Sequence, residues 1–217
     1  MLYLTGDTHN EPGRFALIEQ MVSPQPYDTV MVCGDFGYLN SKAGEQVLDQ
    51  LEQRSYTVCF CDGNHENFDR LAELPITSWC GGMVHQVRKN VFHLMRGEIY
   101  DIDGKRIFVM GGAYSGDAFS KEDSRELPDN AAYDNASKNL ERYGYDVDCI
   151  VTHTAPREIL LRMGKHPYAM EAELNGFLDW IMYEVKYKRW YFGHLHQDVC
   201  LEPKFRALHF DVCKIGG

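Results

Sequence analysis

The sequence is poor in basic residues and has no long apolar run. Its 217 residues include 22 Lys and Arg against 32 Asp and Glu, for a net charge of −10. This deficit argues against a basic face that tracks nucleic acid. No apolar stretch approaches the ~20 residues of a membrane-spanning helix, and the first polar motif, at Gly6, leaves no space before it for a signal peptide. We therefore expect a cytoplasmic protein that contacts no membrane.

The seven cysteines do not follow a spacing that implies a specific chemistry. Their number is odd, no pair has the CxxC spacing, and several lie in apolar, strand-like stretches. They fit neither a zinc ribbon nor a disulfide framework, so we expect buried, reduced thiols. The sequence also lacks internal repeats, low-complexity tracts and linkers. With 44% apolar residues, the chain can bury one sizeable core, and we expect a single domain over residues 1–217.

Short apolar stretches alternate with amphipathic ones over the first third of the chain. The sequence predicts strands at residues 2–5, 29–33 and 56–61, and helices at residues 14–22, 42–54 and 67–74. Such an alternation is typical of a parallel sheet.

The remainder of the chain predicts a second, mixed sheet. Residues 91–94, 98–102 and 106–110 are short β-rich stretches separated by turns, as in a hairpin or meander. Further strands are predicted at 149–152, 190–192, 199–201 and 207–212, and further helices at 157–163 and 171–187. Residues 114–145 are polar and contain one short predicted helix, 134–143. They form either a loop over the functional site or an uninvolved surface excursion.

Five segments place an acid or amide beside a histidine or glycine, and each segment follows a predicted strand. They are Gly6-Asp7-Thr8-His9, Gly34-Asp35, Gly63-Asn64-His65-Glu66, Thr152-His153-Thr154 and Gly193-His194-Leu195-His196. The strand ends of an α/β sheet meet at one rim, where such sheets bind their ligands. Two aspartates, one asparagine and four histidines pooled there can enclose two divalent metal ions and leave a fifth histidine spare. This set predicts a two-metal hydrolase.

Each residue type suits such a centre. Asp7 and His9 can both face one ion if the backbone turns after the strand. Asp35 can bridge, because a carboxylate can hold two cations ~3.5–4 Å apart. His194 and His196, separated by one residue, can serve different ions.

In their order and over almost the whole chain, the five segments resemble those of the calcineurin-like metallophosphoesterases. The resemblance implies an α/β fold, a four-layer α/β/β/α sandwich with two mixed sheets and a dinuclear metal site at the C-terminal ends of the strands. It also implies that Asp7, His9, Asp35 and His196 hold the first metal, and that the shared Asp35, Asn64, His153 and His194 hold the second. Residues 34–37 and 63–69 are also similar to those of a small bacterial and phage branch of the family.

The resemblance implies hydrolysis of a small phosphomonoester or phosphodiester, such as a nucleotide, by in-line attack of a hydroxide that bridges the metals. The cations lower the pKa of the water and neutralise phosphoryl charge. His65, the spare histidine, then protonates the leaving oxygen as general acid; the alternative is that it only fixes Asn64. Ligands of these types accept manganese, our first expectation, and also iron, zinc, nickel or cobalt.

The second segment differs from those of two related groups of enzymes, and these differences reduce the number of activities to be expected. Serine/threonine protein phosphatases continue the second segment as GDxxDRG, but this chain reads Gly34-Asp35-Phe36-Gly37-Tyr38-Leu39-Asn40. We therefore do not expect a protein phosphatase, and what orients His65 stays open. The same segment matches the GDxxY of purple acid phosphatases, in which the tyrosine binds ferric iron. Those enzymes lack a counterpart of His9, so Tyr38 is expected to be a wall or structural residue.

Several other polar residues are secondary candidates. Arg70 and Arg157 follow motif segments and could contact a substrate phosphate, or they could form surface ion pairs. Glu66 is expected to cap or orient a neighbour rather than to catalyse. Four histidines lie outside the segments: His85, His93, His166 and His209. Of these, His93 and His209 lie in predicted strands and are expected to be hydrogen-bonded structural residues rather than ligands.

Three functions remain open on the sequence alone. The leading one is a phosphoesterase with a small phosphate-ester substrate. The second is a nuclease of the same fold, against which the acidic charge counts. The third is a non-catalytic scaffold; such relatives typically lose ligands or the catalytic histidine, and no such residue is missing here. The sequence does not predict the oligomeric state.

Overall fold

Two β-sheets form the centre of the protein in a computed structural model that describes residues 1–116 and 124–215. The strands are β1 Leu2–Thr5, β2 Thr29–Val32, β3 Thr57–Cys61, β4 Ile76–Trp79, β5 Gly82–Arg88, β6 Val91–Leu94, β7 Ile99–Ile102, β8 Lys105–Met110, β9 Cys149–Thr152, β10 Arg189–Phe192, β11 Val199–Leu201, β12 Phe205–Ala207 and β13 Cys213–Lys214. The α-helices are α1 Arg14–Val22, α2 Lys42–Glu52, α3 Phe68–Glu73, α4 Asn130–Arg142, α5 Arg157–Arg162 and α6 Ala172–Glu184. Short 3-10 helices span Tyr38–Asn40, Ser124–Glu126 and Ala169–Glu171.

Both sheets are mixed. Among the described strands, the first sheet has the order β13-β1-β2-β3-β6-β5-β4, in which β1, β2, β3 and β6 run parallel. The second has the order β11-β12-β10-β9-β8-β7, in which β12, β10, β9 and β8 run parallel. The parallel sheet predicted from the first third of the chain is confirmed, and so is the β7–β8 hairpin.

Apolar cores separate four layers. Met31 of β2 and Val151 of β9 belong to the core between the two sheets. Ile18 of α1 and Leu48 of α2 cover the outer face of the first sheet, and Leu178 of α6 packs on the outer face of the second. The arrangement is the α/β/β/α sandwich expected from the sequence, and its geometry aligns the C-terminal ends of the parallel strands at one rim.

The sequence prediction missed the hairpin of β4 and β5. The side chains of β4 alternate between exposed and partly buried positions, so this strand lacks the continuous apolar run of the central strands. Its turn consists of Cys80 and Gly81, with φ of 49° and 90°. A two-residue turn with both φ positive is usually signalled by Asn-Gly or Asp-Gly. The weak pattern and the unusual turn residue together concealed the hairpin.

The strand predicted at residues 207–212 is wrong, because β12 ends at Ala207 and β13 begins at Cys213. Between them the Asp198 carboxylate accepts hydrogen bonds of 2.8–3.0 Å from the backbone N–H groups of residues 209–211. The Asp198 side chain therefore uses backbone N–H groups that would have to bond to a neighbouring strand if these residues formed a strand.

The polar segment 114–145 contains α4, which begins earlier than the helix predicted at 134–143. Asp129 caps it, since its carboxylate accepts a hydrogen bond of 2.9 Å from the N–H of Ala132. Residues 117–123 of the predicted loop lie outside the described residues. None of the helices in the described parts of the chain has the length and apolar character needed to cross a membrane.

All seven cysteines are free thiols. Cys33, Cys59, Cys61 and Cys149 are buried, as predicted, whereas Cys200 is exposed. Cys200 lies in β11, at the edge of the second sheet, where a side chain has fewer neighbours to cover it.

Candidate metal centre

The C-terminal ends of five parallel strands meet at one rim of the sandwich and carry the candidate ligands. Asp7, Asp35, Asn64, His153 and His194 follow β1, β2, β3, β9 and β10, respectively. Two glycines permit the close approach: a Cβ on Gly63 would overlap the Asp35 carboxylate, and one on Gly34, whose φ is 92°, would overlap the His153 ring. The glycines that precede the ligands are therefore required by packing.

The buried carboxylates of Asp7 and Asp35 flank the buried imidazole of His153. His153 Nδ1 lies 3.5 Å from Asp7 Oδ1, and His153 Nε2 lies 3.4 Å from Asp35 Oδ2. Burial by itself lowers the pKa of the imidazole, but the two carboxylates outweigh it and raise the pKa of His153 to about 10. Burial raises the pKa of Asp7 to about 6, and the charge of Asp35 adds to this rise. Two buried carboxylates and an imidazole thus share one small volume, and these are donor types that divalent cations accept.

A second group at the rim consists of His9, Asp35 and His196. The Nε2 atoms of His9 and His196 are 2.8 Å apart, and His9 Nε2 is 3.6 Å from Asp35 Oδ2. One ligand atom from each residue lies within 4.8 Å of the others, and the same holds for Asp7, Asp35 and His153. Asp35 is common to both groups, as a bridging carboxylate has to be.

Asn64 and His194 adjoin these groups. Asn64 Oδ1 lies 3.0 Å from His153 Nε2. The ring of His194 meets the ring of His153 at a centroid distance of 5.0 Å, and burial lowers the pKa of His194 to about 3. A histidine held neutral in this way keeps a lone pair available for a metal ion. All seven ligand candidates from the sequence therefore lie at this rim.

The residues present fit divalent cations. Asp7 Oδ2 is buried and has no hydrogen-bond partner among the described residues, and it faces His196 Nε2 at 3.8 Å. Leaving a buried carboxylate oxygen unsatisfied is costly unless a cation contacts it. The imidazole, carboxylate and amide donors are those that manganese, iron, zinc, nickel and cobalt accept.

The backbone at the rim is strained. His9, Asp35, His194 and His196 have φ of 44°, 48°, 64° and 49°, a left-handed conformation that costs about 1–2 kcal/mol for a residue other than glycine. Strain of this kind persists where the surrounding structure enforces it and is common at functional sites. It explains how Asp and His can turn toward one point directly after a strand.

His65 stands at the mouth of the rim. Its side chain is exposed, and its ring lies 5.5 Å from the ring of His9. The backbone anchors it, since the His65 N–H donates to Asp35 Oδ1 at 2.8 Å and its carbonyl accepts from Asn40 Nδ2 at 2.9 Å. Within the described residues, the imidazole itself makes no hydrogen bond, so its orientation comes from the backbone.

Glu66 orients the segment that carries Asp35, in line with the sequence expectation. Its buried carboxylate accepts hydrogen bonds from the N–H groups of Phe36, at 2.6 Å, and Gly37, at 3.1 Å. Burial, reinforced by the charge of Asp35, raises the pKa of Glu66 to about 8.

Ser115 is a site residue that the sequence reasoning missed. Its hydroxyl accepts a hydrogen bond of 3.0 Å from Asn64 Nδ2, which leaves Asn64 Oδ1 directed at His153. The N–H of Ser115 is in turn bonded to the Glu126 carboxylate at 3.0 Å. No local motif marks Ser115, because its role depends on a contact between residues 51 positions apart in the chain.

Neither candidate arginine lies against the ligand cluster. Arg70 pairs with Glu73 at 2.7 Å and with Glu45 at 3.6 Å. Arg157 is exposed at the start of α5. Tyr38 is fully buried and donates a hydrogen bond of 2.7 Å to the carbonyl of Glu11, which is the structural role expected for it.

The remaining histidines divide into two pairs. His93 is buried and contacts Asp62 Oδ1 through Nε2 at 3.2 Å, and His85 contacts His93 at 2.9 Å, so both are structural. His209 stacks on His196 with 4.8 Å between ring centroids, and His166 lines a cavity beside the cluster. These two lie nearer the site than their positions outside the motifs suggested.

Two cavities open beside the ligand cluster and share Asn64, His65 and Ser115 in their walls. The first, of about 340 Å³, contains Tyr114 and Tyr168, whose ring centroids are 5.4 Å apart. The second, of about 370 Å³, is lined mainly by polar residues.

A sandwich with two carboxylate–histidine groups at its rim belongs to the class of proteins that can hold a pair of metal ions. The sequence matches the family model for the calcineurin-like phosphoesterases over residues 2–198, and the chain belongs to this family. The family depends on two metal ions.

Two individual proteins are similar to it. The lariat debranching enzyme of Schizosaccharomyces pombe is 27% identical in an alignment that covers 75% of this chain and 36% of that protein. The chain thus spans about a third of the length of this relative. The solved structure of phosphopantetheinyl hydrolase from Mycobacterium tuberculosis is 16% identical, with a TM-score of 0.48, over 96% of this chain and 89% of that one.

Proposed function

We propose that the enzyme hydrolyses a small phosphomonoester or phosphodiester with a nucleotide-like substituent, and that His65 protonates the leaving oxygen. The observation that carries this proposal is the burial of Asp7 and Asp35 against His153, with Asp7 Oδ2 lacking a hydrogen-bond partner among the described residues. Acids arranged in this way hold cations rather than a neutral substrate.

The proposed ligand sets follow the two groups at the rim. Asp7, His9, Asp35 and His196 would hold one cation, and Asp35, Asn64, His153 and His194 the other. Two such cations activate a water molecule and neutralise charge on the phosphoryl oxygens. Manganese is the first candidate, and iron, zinc, nickel or cobalt also suit these donors.

The position of His65 supports its role as general acid. Its exposed ring lies at the wall shared by both cavities, beside His9 of the cluster. A substrate phosphate at the cluster would therefore have its leaving oxygen within reach of an imidazole that no described carboxylate holds. Histidine is the side chain that most often transfers protons in catalysis.

The two cavities support a substrate with a substituent on either side of the phosphate. Tyr114 and Tyr168 offer aromatic faces on one side, on which a nucleobase can stack. Asn40 lines the other side and suits a sugar hydroxyl. Arg125, which pairs with Asp69 at 2.9 Å, lines the same side and would bind a second phosphate by exchanging that partner. Arg70 and Arg157 would then contact substrate only after a change of side-chain conformation.

Long nucleic acid is a weaker candidate than a nucleotide. The net charge of −10 opposes the counterion release that drives binding to a long phosphate backbone. Because the yeast relative is named as a lariat debranching enzyme, RNA is included among the substrates to be assayed. A non-catalytic scaffold is disfavoured because every candidate ligand and His65 are present. Seven free thiols suit a reducing compartment, so we place the enzyme in the cytoplasm.

One experiment tests the proposal directly. The purified protein is analysed for bound metals and assayed with p-nitrophenyl phosphate, bis-p-nitrophenyl phosphate, cyclic nucleotides, single-stranded DNA and RNA, with and without a chelator. We expect chelator-sensitive hydrolysis of at least one small ester. Hydrolysis that is indifferent to chelation, or none with any ester after loading with each candidate metal, would contradict it.

A further inference from the structure

A third cavity lies at the opposite end of the sandwich, where β8, β9 and β10 begin. Its volume is about 510 Å³, which falls in the ~300–1,000 Å³ range of ligand pockets. Five basic residues line it: Lys105, Lys188, Arg189, Arg206 and Lys214. Asp148 is the one acidic residue among the described residues of the lining. In a chain with 32 acids and 22 bases, this cluster is a local reversal of charge.

Three of these cations occupy a sheet face that is otherwise apolar. Side chains two positions apart on a strand share a face. Lys105 therefore shares the face of Ile107, and Arg189 shares the face of Tyr191, which both belong to the core between the sheets. Arg206 of β12 is paired with Tyr191 of β10 in the parallel ladder, so its side chain projects from the same face of the sheet as that of Tyr191. The cations thus point into the space between the sheets, where an apolar residue is the normal choice.

The charges of this cluster are only partly compensated. Lys188 pairs with Asp148 at 2.8 Å, and Arg206 pairs with Asp211. Lys105, Arg189 and Lys214 form no ion pair with any carboxylate in the described parts of the chain. Cations gathered at a cavity mouth repel one another and favour an anion.

Arg206 supplies a more specific signal. Its Nε is buried and has no hydrogen-bond partner among the described residues, and the thiols of Cys200 and Cys213 lie beside its guanidinium. A buried N–H donor without an oxygen acceptor is rare, because the lost hydrogen bond to water is not replaced. Guanidinium groups bind phosphate oxygens through paired N–H groups.

The floor of the cavity is less polar than its mouth. Cys149, Tyr191 and Ile215 line it, and all three belong to the core between the sheets. A purely inorganic anion would leave this surface unused, whereas an organic body would cover it.

We propose that this cavity binds a small organic phosphate of nucleotide size. Its phosphates lie among Lys105, Arg189 and Arg206, and its organic part lies against Tyr191 and Ile215. The site is distinct from the metal centre, which is at the other end of the same strands, and it does not depend on the proposed phosphoesterase reaction.

Calorimetric titration of the metal-loaded protein with α,β-methylene-ADP tests this proposal. The double variant Lys105→Glu/Arg189→Glu reverses the charge of the mouth. The double variant Lys42→Glu/Lys138→Glu is its control, since it changes the net charge equally at two exposed helical positions. We expect the first to weaken one binding site at least tenfold and the control to stay within twofold of the wild type. Unchanged binding in the first variant would overturn the proposal.

Two further measurements close the alternatives. Asp35→Asn damages the metal centre, so binding that disappears in this variant belongs to that centre and overturns the proposal. Methylenediphosphonate alone should bind at least tenfold more weakly than the nucleotide analogue. Equal binding would overturn the proposal that the cavity contacts the organic part of the ligand. Arg189→Gln, with circular dichroism to check folding, gives a milder variant if the charge reversal fails to fold.

Discussion

The Glu66 carboxylate accepts a hydrogen bond of 2.6 Å from the backbone N–H of Phe36. This bond, with a second one from Gly37, fixes the strained turn that carries Asp35. The geometry of the shared ligand therefore depends on a residue that contacts no candidate metal ligand through its side chain in the described structure.

Glu66→Gln should weaken metal binding without unfolding the protein. Above pH 8 the Glu66 carboxyl is ionised, because its pKa is about 8, and both of its oxygens accept. Glutamine provides one acceptor oxygen, and its NH₂ group cannot accept from the second backbone N–H, so the comparison is made at pH 9. We expect about a 10–100-fold loss of metal affinity, the range found when residues that orient ligands are replaced. Metal titration followed by activity measures it. The control is Glu73→Gln on the surface, and equal behaviour of the two variants would contradict the role given to Glu66.

Asp35→Ala should remove more metal than His9→Ala, because Asp35 belongs to both ligand groups and His9 to one. We expect less than one ion per chain in the first variant and close to one in the second, as measured by elemental analysis after gel filtration. Asp134→Ala, at an exposed position of α4, is the control. If Asp35→Ala keeps two ions, the shared-ligand assignment is wrong.

His65→Ala should slow esters with poor leaving groups far more than activated ones. A general acid contributes about 10²–10⁴-fold where the leaving oxygen needs a proton, and little for p-nitrophenol. The measurement is kcat for a series of aryl and alkyl phosphates in both proteins. Equal losses along the series would mean that His65 only supports Asn64.

Tyr168→Ala should raise KM for a nucleotide ester and leave KM for p-nitrophenyl phosphate within about twofold. Stacking of one base on an aromatic ring is worth about 1–3 kcal/mol. Tyr183→Ala serves as control, because Tyr183 is exposed on α6 and is not part of the cavity lining among the described residues. Equal changes for both substrates would exclude a base-stacking role.

Arg96→Met should destabilise the fold strongly. Arg96 pairs with the buried Asp62 and also donates to the carbonyl of Leu127 at 2.7 Å, so its loss leaves a buried charge without its strongest partner. We expect about 3–5 kcal/mol lower free energy of unfolding in urea. Arg88→Met removes a more accessible pair with Glu45 and should cost about 0–1 kcal/mol. If Arg96→Met lowers the free energy of unfolding as little as Arg88→Met does, His93 alone is enough to compensate the charge of Asp62.

The sequence predicted the parallel strands and the metal ligands because both leave local signals. β2 is a run of four buried residues, and Asp35 follows it directly after glycine. β4 lacks such a run. Its turn residue Cys80 has a positive φ, which a cysteine in the sequence does not predict. The sequence predicted too late a start for helix α4, because its cap, Asp129, lies before the apolar positions from which the helix was predicted.

Contacts between distant residues account for the parts of the site that were missed. Ser115 orients Asn64 from across the rim, and Tyr168 reaches the same cavity from the loop after α5. His166 and His209 became neighbours of the site only through the packing of both sheets. In each case the residue lies outside any motif, and its role arises from the fold rather than from its sequence neighbours.

The shortness of the central strands has an electrostatic consequence. β10 runs from Arg189 to Phe192, so only about 10 Å, at ~3.3 Å per residue, separates its two ends. Between them lies apolar interior that mobile salt does not enter, and the field of a charge there decays less than in solvent. An occupied basic mouth would make the potential at the far rim more negative and tighten its hold on cations. Organic phosphate in the surroundings would then tune how fully the enzyme is loaded with metal.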